Sequence, residues 1–374
     1  NNLASMSKTT FIPVNEPLLG KKEKKYLIEC IETGWISSEG AFVEKFEKKL
    51  AKASLRKHGI AVSSGTAALD VAIEALGISK GDEVILPSFT IISCINQIIR
   101  VGAIPVLVDS DPNTWNMNIN QIEEKITTRT KAIMVVHIYG LPVDLDLVIS
   151  LAKKYNLKVI EDAAEMHGQT YKGKPCGSFG DISTLSFYPN KHITTGEGGM
   201  ILTRDRSLAE SCYRLKNHGR LKKGVFIHDQ IGFNFSFTDL QAAVGIAQMN
   251  KLPEIIKRKN SIHDFYVEHL SNIDQLEVAE AGSQTTAPVY WFTNIFVDST
   301  GGFCKYLTDE GVGTRRFFYP LHLQPCYEEL GITKGDFPNS ERAYNRGVSL
   351  PSSYSLTDDD LAVVCKIIKK YFKA

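Results

Sequence analysis

The stretch Ser186-Phe187-Tyr188-Pro189-Asn190-Lys191-His192-Ile193-Thr194-Thr195-Gly196-Glu197-Gly198-Gly199 sets one lysine between a short apolar run and a loop of threonines and glycines. A lone lysine in such a loop is ordinarily a solvated surface charge. Here the glycines permit close backbone approach. A lysine that serves as a nucleophile must sit where desolvation and neighbouring positive charge weaken its hold on a proton. The stretch is neither a G-x-G-x-x-G fingerprint nor a Walker loop, so it does not read as a dinucleotide site. Twenty-nine positions earlier, Val159-Ile160-Glu161-Asp162-Ala163-Ala164-Glu165 brings an apolar run to a stop on Asp162. That places a carboxylate at the end of a strand, although a helix N-cap or a metal ligand fits the residue equally. Further back, Ile60-Ala61-Val62-Ser63-Ser64-Gly65-Thr66-Ala67-Ala68-Leu69 runs from an apolar segment through hydroxyls and a glycine into a helix-forming stretch. Free N–H groups at a helix start, flanked by hydroxyls, can cup a phosphate; a plain serine N-cap explains the same pattern.

Around these three segments, from about Tyr26 to Leu202, short apolar runs alternate with helical periodicity. Residues 83–86, 104–108, 132–136 and 157–160 read as strands and Val143–Tyr155 as a helix. Such alternation predicts a mostly parallel sheet covered by helices on both faces, with ligands held at the carboxyl ends of the strands. A long helix is expected over Pro253–Leu270, then strand character over Val289–Val297, a helix at Cys304–Glu310 and a last helix at Asp358–Phe372. The long helix marks the start of a smaller lobe, giving a tail over residues 1–10, a large domain over 11–252 and a small one over 253–374. Asn1–Ser5, ahead of Met6, read as a non-native leader.

The 374 residues carry 43 basic and 42 acidic side chains, for a formal net charge of +1. So even a balance argues against nucleic acid as the main partner. The seven cysteines, at 30, 94, 176, 212, 304, 326 and 365, are odd in number, scattered and free of C-x-x-C pairs. They read as reduced thiols of a cytoplasmic protein. No run approaches the about 18 apolar residues of a membrane span. His58, His137 and His228 have no ligand spacing, which argues against metal catalysis.

Taken together and in this order, the three segments resemble the sugar aminotransferase family of the DegT/DnrJ/EryC1/StrS type. The likeness runs from Phe11-Ile12-Pro13-Val14 nearly to the C-terminus, and is strongest over Gly34–Ser38, Ser63–Leu69, Ile160–Glu165, Ser186–Gly199, Gly232–Ala243 and Thr314–Tyr327. It implies an α/β fold-type-I, aspartate aminotransferase-like architecture: a large domain with a mostly parallel seven-stranded sheet and a smaller C-terminal α/β domain. It also implies pyridoxal 5′-phosphate (PLP) as cofactor, with pyridoxamine phosphate as an intermediate form, and a homodimer with shared active sites. The reaction it implies is amino transfer from glutamate to C4 of a nucleotide-linked 4-keto-6-deoxyhexose.

By the same resemblance, Lys191 is the Schiff-base lysine that also shuttles the proton, and Asp162 the partner of the cofactor ring nitrogen. Ser64, Gly65, Thr66 and Ser186 fall on the phosphate cup. Asn234 falls on a phosphate ligand lent by the second subunit, Glu165 near the cofactor hydroxyl and Ile91 against the ring. Trp35, Ile36, Ser37 and Ser38 lie on a loop that borders the sugar in relatives, as does the stretch holding Arg315, Phe318, Tyr319 and His322. The nucleotide diphosphate needs a fixed cation, and Arg315, then Arg316, are the candidates.

Two positions depart from the family pattern. Ile91 stands where relatives carry an aromatic ring, and Ser236 stands where the branch acting on GDP-4-keto-6-deoxymannose carries arginine. UDP- or dTDP-linked 4-keto-6-deoxyglucose therefore stays open as substrate. A related branch of sugar 3-dehydratases replaces the lysine with histidine, so Lys191 favours transamination. A non-catalytic regulator on the same fold would add a DNA-binding module, and no residues are left over for one. His192 reads as a loop neighbour, Lys21–Lys25 as a solvated helix face, and the apolar stripe of Leu240–Met249 as core or dimer contact.

Overall fold

The strand-forming runs come from alternation that leaves both faces apolar. In the computed structural model, which describes residues 11–280, 287–332 and 335–373, Ala61, Ile85, Ile133 and Val135 point to one face of a sheet. Ile60, Val62, Val84, Leu86, Ala132 and Met134 point to the other. Period-two side-chain direction produces this division, and burial of both faces is what a parallel sheet requires.

The chain order starts with α1 (Lys21–Thr33), α2 (Ala41–Ala53), β1 (His58–Val62), α3 (Gly65–Ala75), β2 (Glu83–Pro87), α4 (Ser93–Arg100), β3 (Ile104–Val108), β4 (Thr130–Val136), α5 (Leu145–Tyr155) and β5 (Lys158–Asp162). A short ribbon of β6 (Thr170–Tyr171) and β7 (Lys174–Pro175) precedes β8 (Ile182–Ser186), β9 (Gly199–Thr203), α6 (Arg206–Lys216) and α7 (Asp239–Met249). The main sheet has seven strands in the order β1-β9-β8-β5-β4-β2-β3. Only β9 runs against its neighbours; β8, β5, β4, β2 and β3 pair parallel. Helices α2, α5 and α7 cover one face and α3, α4 and α6 the other. The expected α/β class and seven-stranded sheet are what the chain forms.

Caps fix where these helices begin. Ser64 Oγ accepts from Ala67 N–H at 3.0 Å at the start of α3, and Asp144 caps α5, which starts at Leu145, two residues later than the expected Val143. Thr238 and Gln241 form a capping box on α7, each satisfying N–H groups that the first turn leaves free. The stripe expected over Leu240–Met249 is core: Ala242 and Ile246 pack with Phe46 of α2. The Lys21–Lys25 run is exposed apart from Glu23, which is buried in an ion pair with Lys251 at 2.7 Å.

The remaining chain runs through α8 (Leu252–Leu270), β10 (Leu276–Val278), β11 (Asn294–Val297), α9 (Thr300–Asp309), β12 (Arg315–Arg316), α10 (Pro338–Arg346), β13 (Gly347–Ser349) and α11 (Asp358–Tyr371). A second sheet, β10-β11-β13-β12, packs under α8, α9 and α11 around Tyr266, Phe303, Leu307 and Val364. The strand expected over Val289–Val297 begins only at Asn294. Upstream, the backbone turns its carbonyls away from any ladder: Tyr290 O accepts from His192 Nε2 and Trp291 O from Lys259 Nζ. Helix α9 starts at Thr300 and not at Cys304, taking in the glycine pair 301–302. Residues 1–10, expected as a tail, lie outside the described part.

Between the two sheets sits an aromatic cluster of Phe89, Tyr139, Trp291, Phe292, Phe296 and Phe317. Phe89 and Tyr139 follow β2 and β4; the other four belong to the second sheet and the chain leading into it. Tyr139 stacks on Phe317 with centroids 4.2 Å apart. This cluster joins the second sheet to the carboxyl edge of the first.

Candidate active site

Five strands of the main sheet deliver their following residues to one edge, and there a cleft of about 460 Å³ opens. Ser64, Gly65 and Thr66 enter after β1, Thr90 and Ile91 after β2, His137 after β4, Asp162 and Ser186 at the ends of β5 and β8, and Tyr188, Asn190 and Lys191 after β8. Arg315 and Phe318 close the cleft from the second sheet. The carboxyl ends of parallel strands are the usual place for such a site.

Lys191 lies at its centre. Its side chain is 10% exposed, with Nζ 4.0 Å from Glu165 Oε1 and 3.8 Å from the centre of the Trp291 ring. Burial pushes the amine below its usual range and the nearby Arg315 charge lowers it further, while Glu165 and Asp162 oppose both. Glu165 accepts the Tyr139 N–H at 2.7 Å, and burial holds its carboxyl above the usual range against the pull of Lys191. The loop that carries Lys191 is closed on itself. Phe187 O accepts from Thr195 N–H at 3.0 Å and Thr194 Oγ1 at 2.8 Å, and Phe187 N–H donates to Gly198 O at 2.8 Å. Gly198 has φ +157°, and a side chain there would strike Phe237.

Asp162 is buried and accepts from Ala164 N–H at 3.0 Å and from the Cys94 thiol at 3.3 Å. Burial raises its carboxyl above the usual range, with those two donors and Lys191 acting the other way. The preceding carboxylate, Glu161, belongs to a different set. It lies with His137 and Cys176 in a cluster whose potential ligand atoms are within 4.8 Å of one another. Hydrogen bonds occupy that cluster. His137 Nδ1 accepts from Val143 N–H at 3.0 Å, so Nε2 carries the proton and donates to Glu161 at 3.0 Å. Glu161 also takes the N–H groups of Gly177 and Phe179.

At the head of α3, Gly65 is needed for space: a Cβ there would stand 2.8 Å from Ser186 Cβ. A Cβ on Gly199 would stand 2.3 Å from Ser64 O. These two contacts bring the α3 N-terminus against Ser186, so the serine N-cap and the cup are one feature. Thr66 Oγ1 lies 2.7 Å from Ser93 Oγ.

The profile of the DegT/DnrJ/EryC1/StrS aminotransferase family matches residues 17–369. The chain belongs to this family. A GDP-perosamine synthase of Escherichia coli O157:H7 is 43% identical over 365 residues, 97% of this chain and 99% of that protein. A dTDP-3-amino-3,6-dideoxy-alpha-D-galactopyranose transaminase of Aneurinibacillus thermoaerophilus is 38% identical, covering 94% and 95%. Among solved structures, the aminotransferase TlmJ of Streptoalloteichus hindustanus superposes with TM-score 0.90 at 31% identity, over 97% of this chain and all of that one. The protein is a PLP-dependent sugar aminotransferase. The cleft fits that cofactor: it offers a buried carboxylate, a helix start with hydroxyls and a desolvated lysine. Two buried oxygens in its wall, Thr184 Oγ1 and Asn190 Oδ1, have no hydrogen-bond partner among the described residues.

Among the residues named from sequence, Ser64, Gly65, Thr66, Ile91, Asp162, Glu165, Ser186, Lys191, Arg315 and Phe318 share the cleft. Others do not. Trp35 and Ile36 are exposed at 58% and 47%, and Asn234 is exposed outside the cleft of its own chain. Ser37 O accepts from Asp239 N–H at 2.8 Å, and Ser38 lines a separate depression with Lys216, Arg220 and Ser236. Tyr319 packs edge-on against Tyr344, and Arg316 turns to the same ring and to Tyr344 O. Contrary to expectation, His322 is buried with both ring nitrogens engaged, Nδ1 at 2.6 Å from Ser88 and Nε2 at 3.1 Å from Glu341. It has no free nitrogen to offer a sugar. His192 is likewise buried, held through Nε2 to Tyr290 O.

Tyr139, Trp291 and Cys94 join the surroundings of Lys191 and Asp162 without any expectation of such a place from sequence. Tyr139 follows the 132–136 run by three residues, so the reasoning that found Asp162 would have reached it; Trp291 and Cys94 carry no such signal. The geometry predicts that Glu165→Gln removes the anion that favours the charged form of Lys191. Lys191 should then lose its proton at lower pH than in the wild type. Titrating the rate at which cofactor-free protein captures added PLP should show the midpoint moving down; an upward move would contradict the placement.

Proposed function

We propose that the protein transfers an amino group from glutamate to C4 of GDP-4-keto-6-deoxymannose, giving a 4-amino-4,6-dideoxy sugar for polysaccharide synthesis in the cytoplasm. The observation that carries the reaction type is Lys191 Nζ, held dry beside Glu165 on the same strand edge as Asp162. The choice of GDP rests on 43% identity to a GDP-perosamine synthase over 97% of the chain.

When bound, the cofactor carries the amino group between the two substrates and accepts charge from the carbon being deprotonated. The chain does the rest. Lys191 Nζ would hold the cofactor through its aldehyde, and the same amine would be the base and acid that moves the proton at the substrate carbon. Burial favours its neutral form, so it can accept a proton near neutral pH. Asp162 keeps a proton on the ring nitrogen, which a buried carboxylate does at close range because little solvent screens it. The α3 N-terminus with Gly65, Thr66 and Ser186 binds the phosphate through N–H and hydroxyl donors. Glu165 orients the cofactor hydroxyl. Ile91, 40% exposed and lining the cleft, would offer an aliphatic face to the ring.

In this reading the active form is a homodimer that closes each cleft with residues of the other copy. Asn234 and the Trp35–Ser38 loop supply the phosphate and sugar contacts that they cannot make in their own subunit. Large apolar side chains nearby in sequence, Phe226 at 81% and Ile231 at 93% exposed, suit burial at such an interface. The chain divides into lobes at residues 11–252 and 253–374, with α8 leading into the second. Ser236, in place of an arginine, favours a second reading: the same transfer on a UDP- or dTDP-linked 4-keto-6-deoxyglucose.

The test is turnover with glutamate against GDP-, UDP- and dTDP-linked 4-keto-6-deoxy sugars. Turnover (kcat/KM) should be at least about tenfold higher for the GDP substrate, the discrimination about 1.4 kcal/mol supplies. Preference for a uracil or thymine nucleotide would replace the first reading with the second. Arg315→Ala should raise KM for the nucleotide sugar about ten- to a hundredfold, the loss of a charge-assisted contact. The glutamate half-reaction should be largely spared. Loss of the glutamate half-reaction would instead assign Arg315 to the amino acid carboxylate.

A further inference from the structure

Trp291 is fully buried, and the reaction described above makes no use of it. Its ring faces Lys191 Nζ at 3.8 Å. Its indole N–H donates to the carbonyl of Asn190, the residue before Lys191, at 2.6 Å. Tyr139 stacks on the indole with centroids 5.8 Å apart and planes 19° from parallel. The Trp291 carbonyl accepts from the buried Lys259 Nζ at 2.8 Å, which ties it to α8. The ring is therefore held by its N–H and by Tyr139, its backbone by Lys259, and the face it presents to Lys191 is a fixed π-surface.

We infer that Trp291 is a positioning residue for Lys191: its ring seats the charged amine, and its N–H pins the peptide that carries it. The inference rests on the reading of Lys191 as the cofactor lysine. An indole face attracts an ammonium and not a neutral amine, and the attraction is strongest where water is excluded. Trp291 thus offsets part of the burial that drives the proton off Nζ, and holds Nζ in one place while the proton is on it.

Other groups act on the same atom. Glu165, at 4.0 Å, and Asp162 favour the ammonium; Arg315, whose guanidinium lies 5.3 Å from the same indole, opposes it; the Cys94 thiol lies in the same set. Burial keeps His167 and His192 neutral, so they add no charge. Trp291 is the member of this group that cannot ionise. Its removal should shift a titration without adding or deleting a titrating site.

The experiment uses the full chain freed of cofactor. PLP is added across a pH series, the adduct is fixed with borohydride, and label on the peptide containing Lys191 is followed by mass spectrometry. Capture needs the neutral amine, so the midpoint of rate against pH reports the proton affinity of Nζ. Trp291→Leu should lower that midpoint by about one unit, the size of a desolvated cation–π contact. Trp291→Phe keeps a ring, of weaker cation affinity, but loses the N–H, and should lower it by a smaller but measurable amount, about 0.3 unit. A Trp291→Leu protein that captures cofactor with the wild-type midpoint would overturn the inference. If the leucine variant does not fold, Trp291→Phe decides alone, an unchanged midpoint counting against. A structural role by itself would lower thermal stability and leave the midpoint in place. Lys191→Ala serves as the control: if it were labelled like the wild type, the reading of Lys191 would fail, whatever Trp291 does.

Discussion

An amine that must lose its proton near neutral pH has to be taken out of water, and a buried ammonium without partners is costly. Lys191 sits between those demands. Its environment removes solvent but leaves one carboxylate, one aromatic face and, further off, a second carboxylate to receive the charge when it is present. Each of these partners is itself held. Glu165 takes the Tyr139 N–H, Asp162 takes the Ala164 N–H and the Cys94 thiol, and Trp291 holds the Asn190 carbonyl. Tyr139 and Trp291 meet in the aromatic cluster between the sheets. The charge balance at one nitrogen thus depends on how the second sheet docks on the first.

That dependence explains why the first sheet ends as it does. Strands β1, β2, β4, β5 and β8 each stop at the cleft, and the first four stops are followed by Ser63, Ser88, His137 and Ala163, while β8 ends on Ser186 itself. The glycines at 65 and 199 let α3 come against Ser186, which puts hydroxyls and free N–H groups a short way from the lysine loop. The second sheet contributes to the cleft the cation Arg315, whose guanidinium lies over the rings of Trp291 and Phe318.

The parts legible in the sequence were those with a local signature. Apolar runs marked the strands, Asp162 and Lys191 stood at their ends, and Ser64 preceded an alanine-rich helix. Trp291 and Cys94 escaped because their roles arise from packing between elements far apart in the chain, and periodicity carries no record of that. The Val289–Val297 run has strand character because it is aromatic and β-branched at most positions, with only Thr293 and Asn294 polar. Its first half is instead drawn off the ladder by His192 and Lys259. His322 looked like a sugar contact because of its neighbours in sequence, and only the fold shows it spent on Ser88 and Glu341.

The central claim is that Lys191, in this setting, moves an amino group onto a sugar. The most direct measurement follows ¹⁵N from labelled glutamate into GDP-4-keto-6-deoxymannose, using PLP-loaded wild type and Lys191→Ala side by side. The account predicts a ¹⁵N-amino sugar nucleotide from the wild type, and none above the enzyme-free background from the folded variant. Comparable label from Lys191→Ala, or no label from the wild type with any nucleotide-linked keto sugar, would contradict it.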